Sequence, residues 1–173
     1  GGMAVHGASG GLGGWVRRVV ATPRRGQRWR EIVEGTVDLS RHEAGWHRGH
    51  TLARHVGKSP TWLLRRAQHH RLPAASSFFT RSAAESAITA ALRADEAGLR
   101  SYLAGSSRNP YVLRVQLPRM AGYVQHASGR RALSNIVCLE AVRRGRRLLI
   151  VSVYLEAPGL PEEERCFARR STP

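Results

Sequence analysis

His55 and Arg66, eleven residues apart, are the side chains of this sequence best suited to phosphoryl chemistry. Histidine moves protons near neutral pH because its ordinary pKa is about 6.5. Arginine stays charged and presents a planar fork that fits phosphate oxygens. Two hydroxyls, Ser152 and Tyr154, come much later in the chain. On a strand they would share one face, about 7 Å apart. Together these groups could take a proton from a hydroxyl, hydrogen-bond a phosphate and hold the charge that gathers on it. On pattern alone, a half-buried amphipathic face is the stronger reading of Ser152 and Tyr154.

Three neighbours have secondary claims. His50 lies about 140° around a helix from His55, so it would act from another face, and orienting or capping the helix is its simpler role. Lys58, the one lysine beside 27 arginines, either contacts a phosphate or decorates a turn. Arg65 competes directly with Arg66.

The elements that must position these groups follow from local signals. Residues 50–56 read as a short helix stopped by Gly57. Ser59 is a good N-cap and Pro60 suits a first helical position, so a second helix runs over 60–70. His55 and Arg66 thus sit on two helices joined by a tight turn. Ser82 with Glu85 fits a capping box for a small-residue helix. Asp95 is positioned to cap a last helix ending at Gly105. Residues 75–79 read as a loop or short strand anchored by Phe78 and Phe79. A helix is also expected over 27–34. Period-two alternation then marks strands at 111–117, 122–127, 134–142 and 147–155, with hairpin turns at Ser128-Gly129 and Arg144-Gly145. On the last strand Leu149, Val151, Val153 and Leu155 point one way, and Leu148, Ile150, Ser152 and Tyr154 the other. The expected class is α+β, with short helices followed by an antiparallel sheet.

Charge narrows the partner. The 173 residues carry a net charge of +16. Residues 44–157 hold 18 basic and 5 acidic side chains, whereas residues 158–173 balance at three each. The field therefore belongs to the presumed folded module at 44–157. Residues 1–43 read as a Gly/Arg-rich linker or N-terminal extension, and 158–173 as a polar, loosely held tail. Such a field attracts polyanions, with RNA the natural substrate for a histidine–arginine site. Arg143, Arg144, Arg146 and Arg147 flank a hairpin and either grip RNA or are simply solvated. Two cysteines, Cys138 and Cys166, make no disulfide framework, so the fold should hold when reduced, with room for one bridge. No apolar run reaches membrane-span length, and no signal-peptide core opens the chain. The Gly-rich start suggests a piece of a longer parent.

No metal is expected, because the histidines fit no zinc spacing. No cofactor is expected either: GASGGLGG does not join a strand to a helix, which disfavours a nucleotide-transferring enzyme. Trp15, Trp29, Trp46 and Trp62 form no stacking platform, and Trp62 is expected in the core.

HTLARHVGKS, LLRR, ASSFFTRSAAESAITAAL and the terminal LLIVSVYLEA occur in one order with compatible spacing. Over roughly residues 44–157 the chain resembles the RNase A-like toxin domain at the C-terminus of bacterial contact-dependent-inhibition and other polymorphic toxins. The resemblance implies a kidney-shaped, metal-independent endoribonuclease without stabilising disulfides. It implies cleavage by 2′-hydroxyl attack to a 2′,3′-cyclic phosphate. It also implies secretion or delivery within a larger toxin, action in the target-cell cytoplasm and a cognate immunity protein, whose surface should be acidic if it blocks a basic cleft. It assigns catalysis to His55, Arg66, Ser152 and Tyr154, with serine at 152 where the family has threonine. Leu155-Glu156 departs from the family's usual Tyr-Pro continuation. The competing class is a basic RNA-binding or membrane-associating module without catalysis.

Overall fold

The structure, a computed structural model, describes residues 24–43 and 51–168. His50 and the start of the expected first helix lie outside them, as do Trp15 and Trp46. The described chain begins with β1 (Gln27–Arg28), a π-type turn at Glu31–Gly35 and a 3₁₀ turn at Leu39–Arg41. Next come α1 (Thr51–His55), α2 (Pro60–His69), β2 (Ala74–Phe78), α3 (Arg81–Ala94) and α4 (Glu96–Ala104). Five strands complete the order: β3 (Tyr111–Gln116), β4 (Gly122–His126), β5 (Arg131–Ser134), β6 (Ile136–Arg144) and β7 (Arg147–Glu156). The strands form two antiparallel sheets, ordered β1-β7-β6-β3 and β2-β4-β5. The class is α+β, as the sequence suggested.

The main core lies where α3 meets β3 and β6 of the larger sheet. Ala84, Ala87, Ile88, Ala91 and Leu92 give α3 a flat apolar face, on which Leu139, Leu148, Ile150 and Val153 pack. Small residues let helix and sheet approach closely, and dense packing is what makes burial stabilising. Residues 24–43 are part of this core rather than a strung-out linker: Ile32, Val37 and Leu39 are buried in it.

Several local expectations give way to tertiary bonding. The helix expected over 27–34 is kept in part: residues 29–30 are α-helical and lead into the π-helical turn at Glu31–Gly35, whereas Gln27 and Arg28 are extended. The Gln27 amide donates to Thr36 O at 3.1 Å and accepts from Asp38 N at 2.8 Å, which pins an extended start. Thr80, not Ser82, caps α3 by accepting from Ala83 N. Glu85 reaches away from that cap and accepts from Leu39 N at 2.8 Å. Asp95 makes no side-chain cap for α4 and accepts from the Tyr111 hydroxyl instead. The strand expected at 134–142 is divided at Asn135, whose amide donates to Leu117 O. Phe79 is 44% exposed, while Phe78 is fully buried. Both hairpin turns fall at glycines with left-handed φ, Gly129 and Gly145.

β7 carries the largest departure. Against β6, Glu140 pairs with Ser152 and Ala141 with Ile150, so Val151 is an extra residue and the ladder shifts there. Such a bulge reverses the alternation. Leu148 and Ile150 therefore share the core with Val153 and Leu155, not with Ser152 and Tyr154 as strict alternation requires. The outer edge of β7 beyond β1 meets side chains instead of a strand. His42 Nδ1, Thr51 Oγ1 and Ser76 Oγ accept from Ile150 N, Val153 N and Leu155 N at 3.0, 3.2 and 2.9 Å. Buried amides need such acceptors, and these three bonds fasten residues 42, 51 and 76 to one strand.

Candidate active site

The segment joining α1 to α2 is bolted to the smaller sheet. Gly57, at φ +62°, turns the chain where another residue would be strained. Its amide donates to Phe78 O at 3.1 Å, Lys58 N donates to Ser77 Oγ at 2.9 Å, and the Tyr123 hydroxyl donates to Lys58 O. Ser59 then caps α2, accepting from Trp62 N, with Pro60 in its first turn. These bonds fix the last residue of α1 and the second turn of α2 over β2.

His55 ends α1 and is 8% exposed. Its Nδ1 lies 3.4 Å from Ser76 O. A carbonyl accepts only, so this bond requires the hydrogen on Nδ1 and makes Nε2 the basic nitrogen. The His55 and Tyr154 rings are 6.2 Å apart. Arg66 projects from α2 and is half-buried. Burial, and then the positive charge of Arg54, push the Arg66 guanidinium below its usual pKa. Among the described residues no carboxylate lies within ion-pair distance of it. An incoming anion would supply the missing counter-charge.

His55, Arg66, Ser152 and Tyr154 line a single cavity of about 810 Å³. The bulge at Val151 is what turns Ser152 and Tyr154 towards it. The secondary candidates separate. Arg65 is exposed and is absent from the cavity wall, so Arg66 is the arginine that faces it. Lys58 is also absent from the wall; its Nζ sits 5.1 Å from the Trp62 ring, which Arg66 Cζ approaches to 5.9 Å. Trp62, expected in the core, is 38% exposed beneath these two cations. His69 and His70 are exposed at the end of α2. Arg143 and Arg147 are engaged internally: Arg143 donates to Tyr102 O and Ser107 O, and Arg147 to Glu31.

Two groups of wall residues escaped the sequence. His126, on β4, shares the cavity with His55. Its strand was expected, and alternation places it on the face of Val124, but nothing in sequence says which face turns to the cavity. Leu160, Glu163, Glu164 and Cys166 line the same cavity from a segment expected to hang loose. Cys138 and Cys166 form a disulfide, so the single bridge left open by the sequence is present and the bridge-free fold implied by resemblance is corrected. Among the described residues, the grouping nearest to a metal site is Cys138, Glu156 and Cys166, and its sulfurs are joined to each other. No described helix is long and apolar enough to cross a membrane.

Comparison with known proteins bears on the family and the fold. Residues 49–153 match the family described as the Bacterial CdiA-CT RNAse A domain. The fold is similar to a solved structure, the crystal structure of a CdiA-CT/CdiI complex from Y. kristensenii 33638. The TM-score is 0.57 at 26% identity, over 63% of this chain and all of that one. No curated protein matches the chain. The chain belongs to the bacterial CdiA-CT RNAse A domain family, the ribonuclease toxin domains of contact-dependent inhibition.

Proposed function

We propose that the cavity cleaves RNA without a metal, by attack of the 2′-hydroxyl on the adjacent phosphorus and departure of the 5′-oxygen, leaving a 2′,3′-cyclic phosphate. The observation that carries this reading is the convergence of His55, Arg66, Ser152 and Tyr154, from three separate elements, on one cavity. RNA brings its own nucleophile, so the protein need only move protons and hold charge. Nε2 of His55 takes or returns a proton. Arg66 faces the phosphorane oxygens, where a preorganised cation stabilises developing charge by a few kcal/mol, about the scale of one oxyanion donor. Ser152 and Tyr154 hydrogen-bond the scissile phosphate. The reaction needs a second proton-transfer group, and Tyr154 and His126 both line the cavity.

The domain reaches its target as part of a larger toxin and acts in the recipient cytoplasm. A CdiI-type immunity protein with an acidic surface neutralises it in the producing cell. The test is incubation of the protein with total RNA in EDTA, beside H55A, followed by end-group analysis. Cyclic-phosphate ends from wild type alone are the expected result. RNA that is bound but left intact by folded wild type sinks the catalytic reading in favour of a basic binding module.

A further inference from the structure

Leu160, Glu163, Glu164 and Cys166 bring the segment 158–168 into the cavity wall, and its chemistry opposes the ligand proposed above. Glu162, Glu163 and Glu164 form a 3₁₀ turn that is exposed to solvent. Glu163 and Glu164 line the same cavity as His55, Arg66 and His126. Two carboxylates beside a phosphate-binding site repel a polyanion. The segment is held there at three points. Leu160 packs on the main core. Cys166 N donates to Glu156 Oε1 at 2.6 Å, and Glu156 is itself buried and braced by Arg114 through Oε2. The third tie is covalent, from Cys166 to Cys138, whose Cα atoms are 6.3 Å apart. Cys138 pairs with Tyr154 across the ladder, so the tie is made beside a cavity residue.

We infer that residues 158–168 are an acidic strap, held over the substrate cleft by the Cys138–Cys166 bridge and released by a thiol reductant. The inference rests on the ribonuclease reading for its substrate. Cys138 is fully buried, whereas Cys166 lies in the wall of an open groove with Arg114, Arg165 and Phe167. A low-molecular-weight thiolate therefore attacks the Cys166 sulfur. The S–S bond breaks, Cys138 leaves as a thiolate and takes a proton, and a mixed disulfide forms on Cys166. A second thiolate attacks the external sulfur, giving the Cys166 thiol and one molecule of oxidised reductant. Two electrons and two protons are transferred in all. Oxidising surroundings keep the strap tied and a reducing cytoplasm unties it, which matches a protein that works after crossing between the two.

The test uses the full chain, oxidised and reduced, beside C166S and the double variant E163Q/E164Q. The first readouts are cleavage of a short oligoribonucleotide and binding of its non-cleavable 2′-O-methyl form. The second is trypsin cleavage after Arg165, followed by mass spectrometry. Reduction is expected to lower KM and Kd roughly tenfold, the scale of removing two repulsive charges from an anion site. C166S should match the reduced protein without reductant, and E163Q/E164Q should gain part of the effect with the bridge intact. Reduction should also speed the cut after Arg165. Equal or weaker RNA affinity on reduction overturns the strap. If no form cleaves RNA, the ribonuclease reading fails, and binding and trypsin cleavage still decide the strap: no response of either to reductant overturns it.

Discussion

His55 and Arg66 owe their placement to bonds that neither makes alone. The turn between their helices is tied to β2 and β4 through Gly57, Lys58 and Tyr123, so the two side chains are carried on a braced corner. H55A should lower kcat/KM by about 10²–10⁴, the scale of a general acid–base group. R66A should lower it by about 10²–10³, whereas R65A should leave it within about twofold, because Arg65 faces solvent. Cleavage rates of a fluorogenic oligoribonucleotide check all three, and an R65A loss equal to that of R66A would refute the assignment. At this scale the sequence was informative where chemistry and capping coincide. HVGKSP supplies a histidine, a left-handed glycine and an N-cap in one run, each interpretable locally. His126 was illegible because its part in the cavity depends on how β4 is placed against β2 and α2, which long-range packing decides.

Elements were legible in proportion to how far they stabilise themselves. α2 and the hairpins follow from caps and glycines, and the structure keeps them. β1 and the break at Asn135 depend on long-range bonds, and there local propensity loses; the cap of α3 is local but starts two residues earlier, at Thr80, because Glu85 is drawn to Leu39 N. The bulge at Val151 is the sharpest case. Period-two reading of β7 is right on either side of it and wrong across it, because nothing in LLIVSVYLE marks the inserted residue. Gly122 shows how closely the elements meet. A Cβ there would collide with Ser77 O and come within 2.6 Å of Leu155 Cδ1. G122A should therefore destabilise the fold by about 1–3 kcal/mol through overpacking between β2, β4 and β7. Urea unfolding checks this, and a midpoint equal to wild type would contradict the packing described.

Two groups tie the stability of the whole molecule to its surroundings. His42 is 2% exposed, donating through Nε2 to Gln27 Oε1 and accepting at Nδ1 from Ile150 N. Both bonds use the neutral ring. Burial, and then the charge of Arg41, push its pKa from 6.5 down to about 4. The unfolded chain takes the proton first as pH falls. The stabilisation is thus complete above pH 6.5 and is lost as pH drops through about 4, by roughly 3 kcal/mol. Urea midpoints from pH 7 to 4 should fall steeply for wild type and less steeply for H42N. The disulfide closes a loop of 28 residues. Its reduction should cost about 3.5 kcal/mol by loop entropy, read as a lower thermal midpoint with reductant. The reduced protein would then be less stable and, with its strap untied, more active.

The edge of β7 has a consequence for recognition. A strand that ends a sheet ordinarily offers a row of amides to any extended chain that can pair with it. Here β1 covers the first two positions, and His42, Thr51 and Ser76 have taken the amides of Ile150, Val153 and Leu155. No visiting strand can extend the sheet along this border without first breaking bonds that hold α1 and β2 in place. An inhibitor that docks along this border must therefore read side chains and charge rather than borrow the backbone of β7.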